Sequence, residues 1–144
     1  MSFLYHPEEE IVICSPMEGR ITFNGAPAAG AKLERFVKWK DEDGQTDTTF
    51  TDGNGYFRFP IIKEKAKLPK LSQFVIGQEI HVYFNGDKYP VWAKAKREKG
   101  LYGELDGSPV NFRCDLTDEL APVDAGKGML LTSCKWDSIE KNGD

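Results

Sequence analysis

The chain has 144 residues, with 19 Lys and Arg against 23 Asp and Glu, and its formal net charge is −4. This mild acidity argues against a nucleic-acid-binding protein, because phosphates select basic surfaces. The composition, 40% hydrophobic and 29% charged, is that of a globular chain long enough to bury one core. No apolar run approaches the ~20 residues that span a bilayer. We therefore predict one domain over residues 1–144, with neither nucleic acid nor membrane as a partner.

The chain begins with a predicted irregular arm, residues 1–16, that holds one short apolar strand at residues 10–14. The N-terminus lacks the basic and apolar segments of a secretory signal, which predicts a cytoplasmic location. Cysteines in the cytoplasm stay reduced, so we expect three free thiols, and any disulfide would leave one cysteine over. The cysteines are Cys14, Cys114 and Cys134.

Residues 17–97 form the predicted core of the domain and open with two strands. Apolar and polar side chains alternate over residues 17–23, which is typical of a half-buried strand. A turn at residues 24–27 then leads toward a second strand at residues 32–40. The side chains predicted to share one face of this second strand are Leu33, Val37 and Trp39.

A polar turn at residues 52–55 lies between two alternating runs, residues 46–51 and 56–61. The Asp, Asn and Gly residues of this turn tolerate the positive φ angles that tight hairpins need. We therefore predict a central β-hairpin formed by the two runs. On its second strand the two predicted faces are Phe57, Phe59 and Ile61 on one side, and Tyr56 and Arg58 on the other.

A lysine-rich segment, residues 63–72, follows and is predicted to be a loop or a short helix. A second hairpin is predicted from strands at residues 78–84 and 89–96, because the Asn-Gly turn at residues 85–87 is the favoured type. Alternation defines two faces of this hairpin but does not decide which one is buried. The predicted sets are Ile80, Val82, Val91, Ala93 and Ala95 on one face, and Tyr83, Trp92, Lys94 and Lys96 on the other.

Residues 98–136 are predicted to add further strands and an acidic loop. Alternation at residues 110–114 and an apolar run at residues 129–136 indicate strands, and the acidic segment between them, residues 115–128, is predicted to be irregular. The polar tail, residues 137–144, is expected to fray. About eight short strands without a long amphipathic helix predict an all-β sandwich.

Two motifs together resemble a known family. Residues 19–33 pass from a strand through a Gly-x-Pro turn and a Gly-Ala pair into a second strand, and residues 51–59 read Thr-Asp-Gly-Asn-Gly-Tyr-Phe-Arg-Phe. The pairing resembles the carboxypeptidase regulatory-like domains of the prealbumin-like (transthyretin-like) group, best over residues 17–62. The resemblance implies a single Greek-key β-sandwich of about seven to eight strands. It implies little about function, because such domains serve as spacers, adhesive modules and accessory domains.

One branch of that group, the hydroxyisourate hydrolases, is enzymatic and is characterised by a His/Arg site and a C-terminal Tyr-Arg-Gly-Ser. This chain ends Lys-Asn-Gly-Asp and contains only His6 and His81, so no catalytic residue is carried over. A nucleophilic Ser or Cys also needs a base within reach, and both histidines are predicted to lie on the surface. We therefore predict that the protein is not an enzyme.

The sequence predicts neither a metal site nor a cofactor site. No Cys-x-x-Cys pair provides the spacing of zinc ligands. The turn at residues 52–55 looks like the start of a calcium loop, but Lys63 stands where an EF-hand needs Glu. Turn chemistry explains these residues without an ion.

Three kinds of side chain are candidates for contact with a partner. Aromatic rings around the second hairpin, if they point outward, would form an interface, because Tyr and Trp dominate binding hot spots. The acidic loop would attract a basic partner, and the basic residues near residue 96 would attract an acidic one unless they only protect a sheet edge. The candidates are Tyr83, Tyr89, Trp92, Asp118, Glu119, Lys94, Lys96 and Arg97.

The leading hypothesis is a non-catalytic protein-binding module with another protein as its partner, for example a bacterial immunity protein or an adaptor for a secreted effector. An alternative is a transthyretin-like small-molecule binder or hydrolase, which requires a concave pocket with convergent polar groups near His81. A third hypothesis is a carbohydrate-binding accessory domain. It requires Tyr83, Tyr89 and Trp92 to form an exposed flat row.

Overall fold

The computed structural model describes residues 8–40, 43–67 and 74–141, and every regular element in these ranges is a β-strand. The all-β prediction is therefore confirmed. In chain order the strands are β1 (Glu9–Cys14), β2 (Met17–Phe23), β3 (Ala26–Pro27), β4 (Lys32–Trp39), β5 (Gln45–Phe50), β6 (Tyr56–Phe59), β7 (Ile62–Ala66), β8 (Ile76–Phe84), β9 (Asp87–Lys96), β10 (Ser108–Val110), β11 (Arg113–Asp115), β12 (Ala121–Pro122), β13 (Leu130–Thr132), β14 (Cys134–Lys135) and β15 (Ser138–Glu140).

Two large sheets contain most of these strands. One has six strands in the order β12-β13-β9-β8-β4-β5, and the other has five, in the order β14-β11-β2-β3 with β6 also paired to β2. Buried side chains from both sheets form one hydrophobic core, which is the packing that gives a sandwich-like architecture. The core includes Leu33, Ile80 and Val82 from the six-stranded sheet and Ile21, Phe57 and Phe59 from the other.

Strand β4 shows how alternation in the sequence becomes burial. Leu33, Val37 and Trp39 lie on its buried face, as predicted. Arg35 occupies the same face and is fully buried with them, which alternation of apolar residues alone does not indicate. Strand β4 lies between β5 and β8, so its inner face contributes to the middle of the molecule.

The second hairpin is confirmed, because β8 and β9 pair across Asn85 and Gly86, whose φ angles are 52° and 82°. Both turn residues thus adopt the positive φ of a type I′ turn. The pairing contains a bulge: Ile80 faces Trp92 and His81 faces Pro90, so the residue between the two, Val91, has no opposite partner.

The predicted central hairpin is wrong. Strand β5 pairs with β4 and strand β6 pairs with β2, so the two runs belong to different sheets. The Thr51 hydroxyl fixes the crossing, since it accepts a hydrogen bond from the Ala31 amide (2.7 Å) and donates one to the Ala28 carbonyl (2.6 Å). Alternation separated the two faces of each run, and on β6 Phe57 and Phe59 share the buried one. It could not report that each run has a different neighbour.

The N-terminal arm is joined to the fold by a small sheet. Strand β1 pairs with β7, which confirms the apolar strand predicted in the arm. The prediction of a loop or short helix is wrong for residues 63–66, because β1 provides them with a partner strand. Residues 1–7 and 68–73 lie outside the described residues. A second hydrophobic cluster lies beneath β1 and includes Ile11, Ile13, Trp39 and Ile76.

The C-terminal region is also more ordered than predicted. Strand β15 pairs with β10, so the expectation of fraying is wrong for residues 138–140, and residues 142–144 lie outside the described residues. The predicted strand at residues 129–136 is two strands, β13 and β14, separated by Ser133 and placed in different sheets. The chain therefore crosses from one sheet to the other at this residue.

The cysteine prediction is wrong for two of the three residues. Cys114 on β11 and Cys134 on β14 lie directly opposite each other and form a disulfide. Cys14 keeps a buried free thiol, and burial raises its pKa to about 12. The pairing depends on two strands being neighbours in the folded sheet, which their separation of 20 residues does not reveal.

We expect the double variant Cys114→Ser/Cys134→Ser to lose about 3 kcal/mol of unfolding free energy, because the disulfide restricts a loop of that length in the unfolded chain. Urea unfolding of the variant measures this loss, and wild-type protein with a reductant should give a similar value. Titration of denatured protein should find one free thiol, Cys14. An unchanged unfolding midpoint would contradict the prediction.

Candidate functional site

A groove opens at the side of the molecule where strands β5 and β6 separate. Its volume is about 590 Å³, and its walls include the end of β5, the start of β6 and the segment before β11. Two large aromatic side chains line it while remaining open to solvent: Phe50 is 62% exposed and Tyr56 is 53% exposed. Large exposed aromatic side chains at a concavity are typical of interaction surfaces.

The positions of both rings follow from the strands that hold them. Strand β6 directs Phe57 and Phe59 into the core, so Tyr56 points outward by alternation. Phe50 ends β5, and among the described residues this strand pairs only with β4. Both aromatic residues therefore lie on edge strands, where no further strand of the described chain covers them.

Positive and negative side chains around the groove balance each other, and one of them, Arg20, packs against the Tyr56 ring. The Arg20 guanidinium lies 5.5 Å from the centroid of the Tyr56 ring, and its Nε donates to the Asn54 carbonyl at 2.9 Å. Arg58 faces Glu18 with a nitrogen–oxygen distance of 3.9 Å. A ring held in place before binding loses less conformational freedom on association.

A second concavity, of about 250 Å³, lies beside the groove and has Glu104 in its lining. The Glu104 carboxylate accepts hydrogen bonds from the Ser15 amide (2.9 Å), the Ser15 hydroxyl (2.7 Å) and the Gln78 side-chain amide (2.8 Å). Tyr102, another lining residue, has a φ of 58°, and its amide donates to the Ser15 hydroxyl at 2.7 Å. The hydrogen bonds thus fix both the carboxylate and the loop next to it.

Three of the predicted partner-binding residues come together at a third, shallower concavity. Tyr89, Asp118 and Glu119 all line a depression of about 240 Å³. Asp118 already pairs with Lys135 at 3.0 Å, whereas Glu119 has no ion-pair partner within the described ranges. The predicted acidic surface therefore exists, with one of its two carboxylates already neutralised.

Tyr83, Tyr89 and Trp92 do not form the exposed flat row that the carbohydrate-binding hypothesis requires. Trp92 is buried in the core, where its Nε1 donates to the Gln78 side-chain oxygen at 3.1 Å. Tyr89 lies opposite Val82 and packs against the core, so it shares that inner face. Tyr83 alone points to the other face, and its hydroxyl donates to Glu34 at 2.8 Å. Flat contact with a sugar through these three rings has no structural basis.

The predicted basic cluster is also wrong for two of its three members. Lys94 and Lys96 are buried, and only Arg97 is exposed. The bulge at Val91 is the cause, since one extra residue turns the following side chains to the opposite face. The result places Trp92, Lys94 and Lys96 on the inner side of β9.

Each buried lysine has backbone acceptors. The Lys96 ammonium donates to the carbonyls of Val12 (3.0 Å), Glu98 (2.6 Å) and Gly100 (2.9 Å). It therefore ties the first strand to the loop after β9. Lys94 donates to two carbonyls after β12, and burial holds its pKa below the usual range. Both lysines therefore have structural roles in the fold.

The structure gives no support to a metal centre in the residues it describes, where no group of three potential ligands among His, Cys, Asp and Glu occurs. The imidazole of His81 lies 4.0 Å from Glu79 on the same strand, and His6 lies outside the described residues. Within the same ranges, no helix is long and apolar enough to cross a membrane.

A family model described as a domain of unknown function (DUF6795) matches residues 17–119. The chain belongs to this family. No curated protein and no solved structure matches the chain. The DUF6795 match includes all of β2 to β11, and so contains both aromatic residues of the groove and Glu104. The family description does not mention the carboxypeptidase regulatory-like or prealbumin-like groups.

Phe50 and Tyr56 are not among the partner-binding residues predicted from the sequence of this DUF6795 domain. One signal was available: Phe50 alternates with Thr46 and Thr48, a face with no other apolar residue, which favours exposure. Glu104 had no such signal. Its burial depends on donors from Ser15 and Gln78, which are 89 and 26 residues away in sequence.

We expect Lys96→Met to lower the unfolding free energy by about 3 kcal/mol, since it leaves buried carbonyls without their donor. Arg97→Met is the matched control: the side chain is exposed, so the change should stay within about 0.5 kcal/mol. Urea unfolding of both variants tests whether the bulge at Val91 turns the Lys96 side chain to the buried face of β9. Equal, small effects would contradict it.

Asp115, in the acidic segment, should make stability depend on pH. Burial alone would raise its pKa, but hydrogen bonds from Thr117, Thr22 and Gly25 outweigh it and hold the pKa well below the ordinary range. The stabilisation is therefore fully present above the unfolded pKa of about 4 and is lost as the pH falls toward the folded value.

We expect Asp115→Asn to be clearly less stable than wild type at pH 7, with the difference shrinking as the pH is lowered from 5 to 2. Urea unfolding across this range measures the difference. Asp124→Asn, an exposed carboxylate of the same segment, is the control and should differ little from wild type at any pH. A difference for Asp115→Asn that stays constant with pH would contradict the assignment.

Proposed function

We propose that this DUF6795 protein is a non-catalytic protein-binding module that contacts its partner through the groove between β5 and β6. The main support is the pair of exposed aromatic side chains, Phe50 and Tyr56, on the rim of a concave surface. Aromatic and arginine side chains are enriched at the centres of protein interfaces. Tyr56 with Arg20 beside it offers both in one place.

The charges near the groove favour an apolar contact with the partner. Glu18, Asp52 and Arg58 line it, and Glu18 faces Arg58. Such a surface gives little electrostatic steering, so its affinity would come from burial of the rings. The acidic depression at Glu119 is a weaker candidate, because exposed charges contribute little and Asp118 already has Lys135.

The immunity-protein and adaptor hypotheses both fall within this class and differ only in the partner. The Cys114–Cys134 disulfide fits an oxidising compartment better than the predicted cytoplasm.

We also infer a prealbumin-like Greek-key sandwich as the finer fold. Two sheets around a shared core support it, as do the motifs at residues 19–33 and 51–59.

Capture of the partner tests the proposal. Wild-type protein, Phe50→Asp and Met129→Asp are immobilised and exposed to lysate of the cells that make the protein. Met129 is the matched control. Its side chain is also 62% exposed, but it directly precedes β13 and does not line the groove. We expect one stoichiometric protein on wild type and on Met129→Asp, and its loss from Phe50→Asp.

The purified partner then allows affinities to be measured. Tyr56→Ala should weaken binding by about 30-fold, as expected for a hot-spot aromatic residue worth about 2 kcal/mol. Circular dichroism and thermal unfolding must show that each variant is folded. A partner that binds Phe50→Asp and wild type equally would remove the groove as the interface.

A further inference from the structure

The cavity beside the groove has in its lining a buried carboxylate that forms no ion pair with the described residues. Glu104 is 5% exposed, and among the described residues no Lys, Arg or His nitrogen lies within ion-pair distance of its carboxylate. Three neutral donors hold it: the Ser15 amide, the Ser15 hydroxyl and the Gln78 amide. A buried carboxylate that lacks a cation is costly, and proteins usually pair such groups.

The groups that contact Glu104 can all act as donors to its carboxylate. Trp92 Nε1 can only donate, so it fixes the Gln78 oxygen toward itself and turns the Gln78 nitrogen toward Glu104. The Ser15 hydroxyl accepts from the Tyr102 amide and has its own proton available for the carboxylate. A carboxylate has about four acceptor positions, so three donors leave capacity for one more.

The buried cations of the described chain donate hydrogen bonds to other groups. Lys94 donates to the carbonyls of Ala125 and Gly128, and Lys96 donates to Val12 and Gly100, among others. Arg35 is bonded to Asp47 and to the Pro60 carbonyl. None of the three forms an ion pair with Glu104, although Lys94 lies close enough for the Glu104 charge to counteract part of the burial effect on its pKa.

The walls of the cavity suit the body of an organic cation. Polar and apolar side chains share the lining, and its apolar part includes Met17, Phe59, Trp92, Leu105 and Phe112. Among the described residues, the charged ones that line the cavity are Glu18, Arg58 and Glu104, and the first two face each other. The lining therefore has a net charge of −1, and aromatic faces attract cations as well.

We infer that this cavity is a binding site for an ammonium group carried on a compact apolar body. The nitrogen would donate to Glu104, and the body would pack against Trp92 and Phe112. This is a site for a ligand and goes beyond the protein-binding function. The volume, about 250 Å³, fits a small amine and not a drug-sized molecule.

The ammonium group could come from a free amine or from a lysine side chain of a bound protein. The cavity and the groove share lining residues, so both sources can reach it: Glu18, Arg58, Pro109 and Phe112 line both. The chemistry recognised is the same in either case.

A charge series on the wild-type protein tests the inference. Benzylammonium, benzyl alcohol and benzoate have nearly the same shape and differ in charge. Each is titrated while the amide and indole signals are followed by NMR, and the Trp92 indole N–H reports on the cavity because it bonds to Gln78 beside Glu104. We expect the Trp92 signal to shift with benzylammonium, at least tenfold more weakly with the alcohol, and not with benzoate.

Two variants test whether Glu104 is the carboxylate that binds the ammonium group. Glu104→Gln should weaken benzylammonium binding by about tenfold or more, as expected for loss of a charge-assisted hydrogen bond. Asp106→Asn, an exposed carboxylate two residues away that pairs with Lys141, should bind as wild type does. If Glu104→Gln does not fold, the charge series on the wild-type protein decides alone.

A lysine derivative separates the two sources. Binding of Nα-acetyl-lysine methylamide, and not of its Nε-acetylated form, would support a lysine side chain as the natural occupant. Binding of benzylammonium alone would support a free amine. Equal affinity for benzyl alcohol and benzylammonium, shifts that avoid Trp92, or no binding of any cation at millimolar concentration would overturn the inference.

Discussion

The buried guanidinium of Arg35 is the interaction on which the open side of the molecule depends. It binds both carboxylate oxygens of Asp47, at 2.9 and 2.6 Å, donates to the Pro60 carbonyl at 2.7 Å and lies 4.6 Å from the centroid of the Phe59 ring. It thereby links β4, β5 and the segment after β6. Because an unpaired buried charge costs several kcal/mol, β5 cannot leave β4 without a large penalty. The Arg35–Asp47 pair therefore fixes the position of Phe50, three residues beyond Asp47, and of the groove that Phe50 lines.

Much of the fold could be predicted because its signals are local. Alternation identified most of the strands, the Asn-Gly turn identified the second hairpin, and β4 buries Leu33, Val37 and Trp39 as expected. The failures concern non-local pairing. The turn at residues 52–55 has the composition of a hairpin turn, but the strands on its two sides do not pair with each other. Strand β5 pairs with β4, where Asp47 binds Arg35, and β6 pairs with β2 in the other sheet.

The site was harder to predict, because its residues depend on a bulge and on sheet edges. Two consecutive apolar residues, Val91 and Trp92, are compatible with either face, and the extra residue between pairs decides that Lys96 points inward. Phe50 and Tyr56 are exposed because β5 and β6 are edge strands of their sheets. Glu104 gains its burial from Ser15 and Gln78, which no spacing rule connects.

The crossing at Ser133 gives the C-terminal strands a further role. Strand β13 lies beside β9 in one sheet, and β14 lies beside β11 in the other. Both follow Glu119, where the family match ends. A chain that stopped there would leave β9 and β11 as open edges, each ready to pair with another molecule. The last part of the chain thus covers β9 in one sheet and β11 in the other, and joins the two sheets through a single connection.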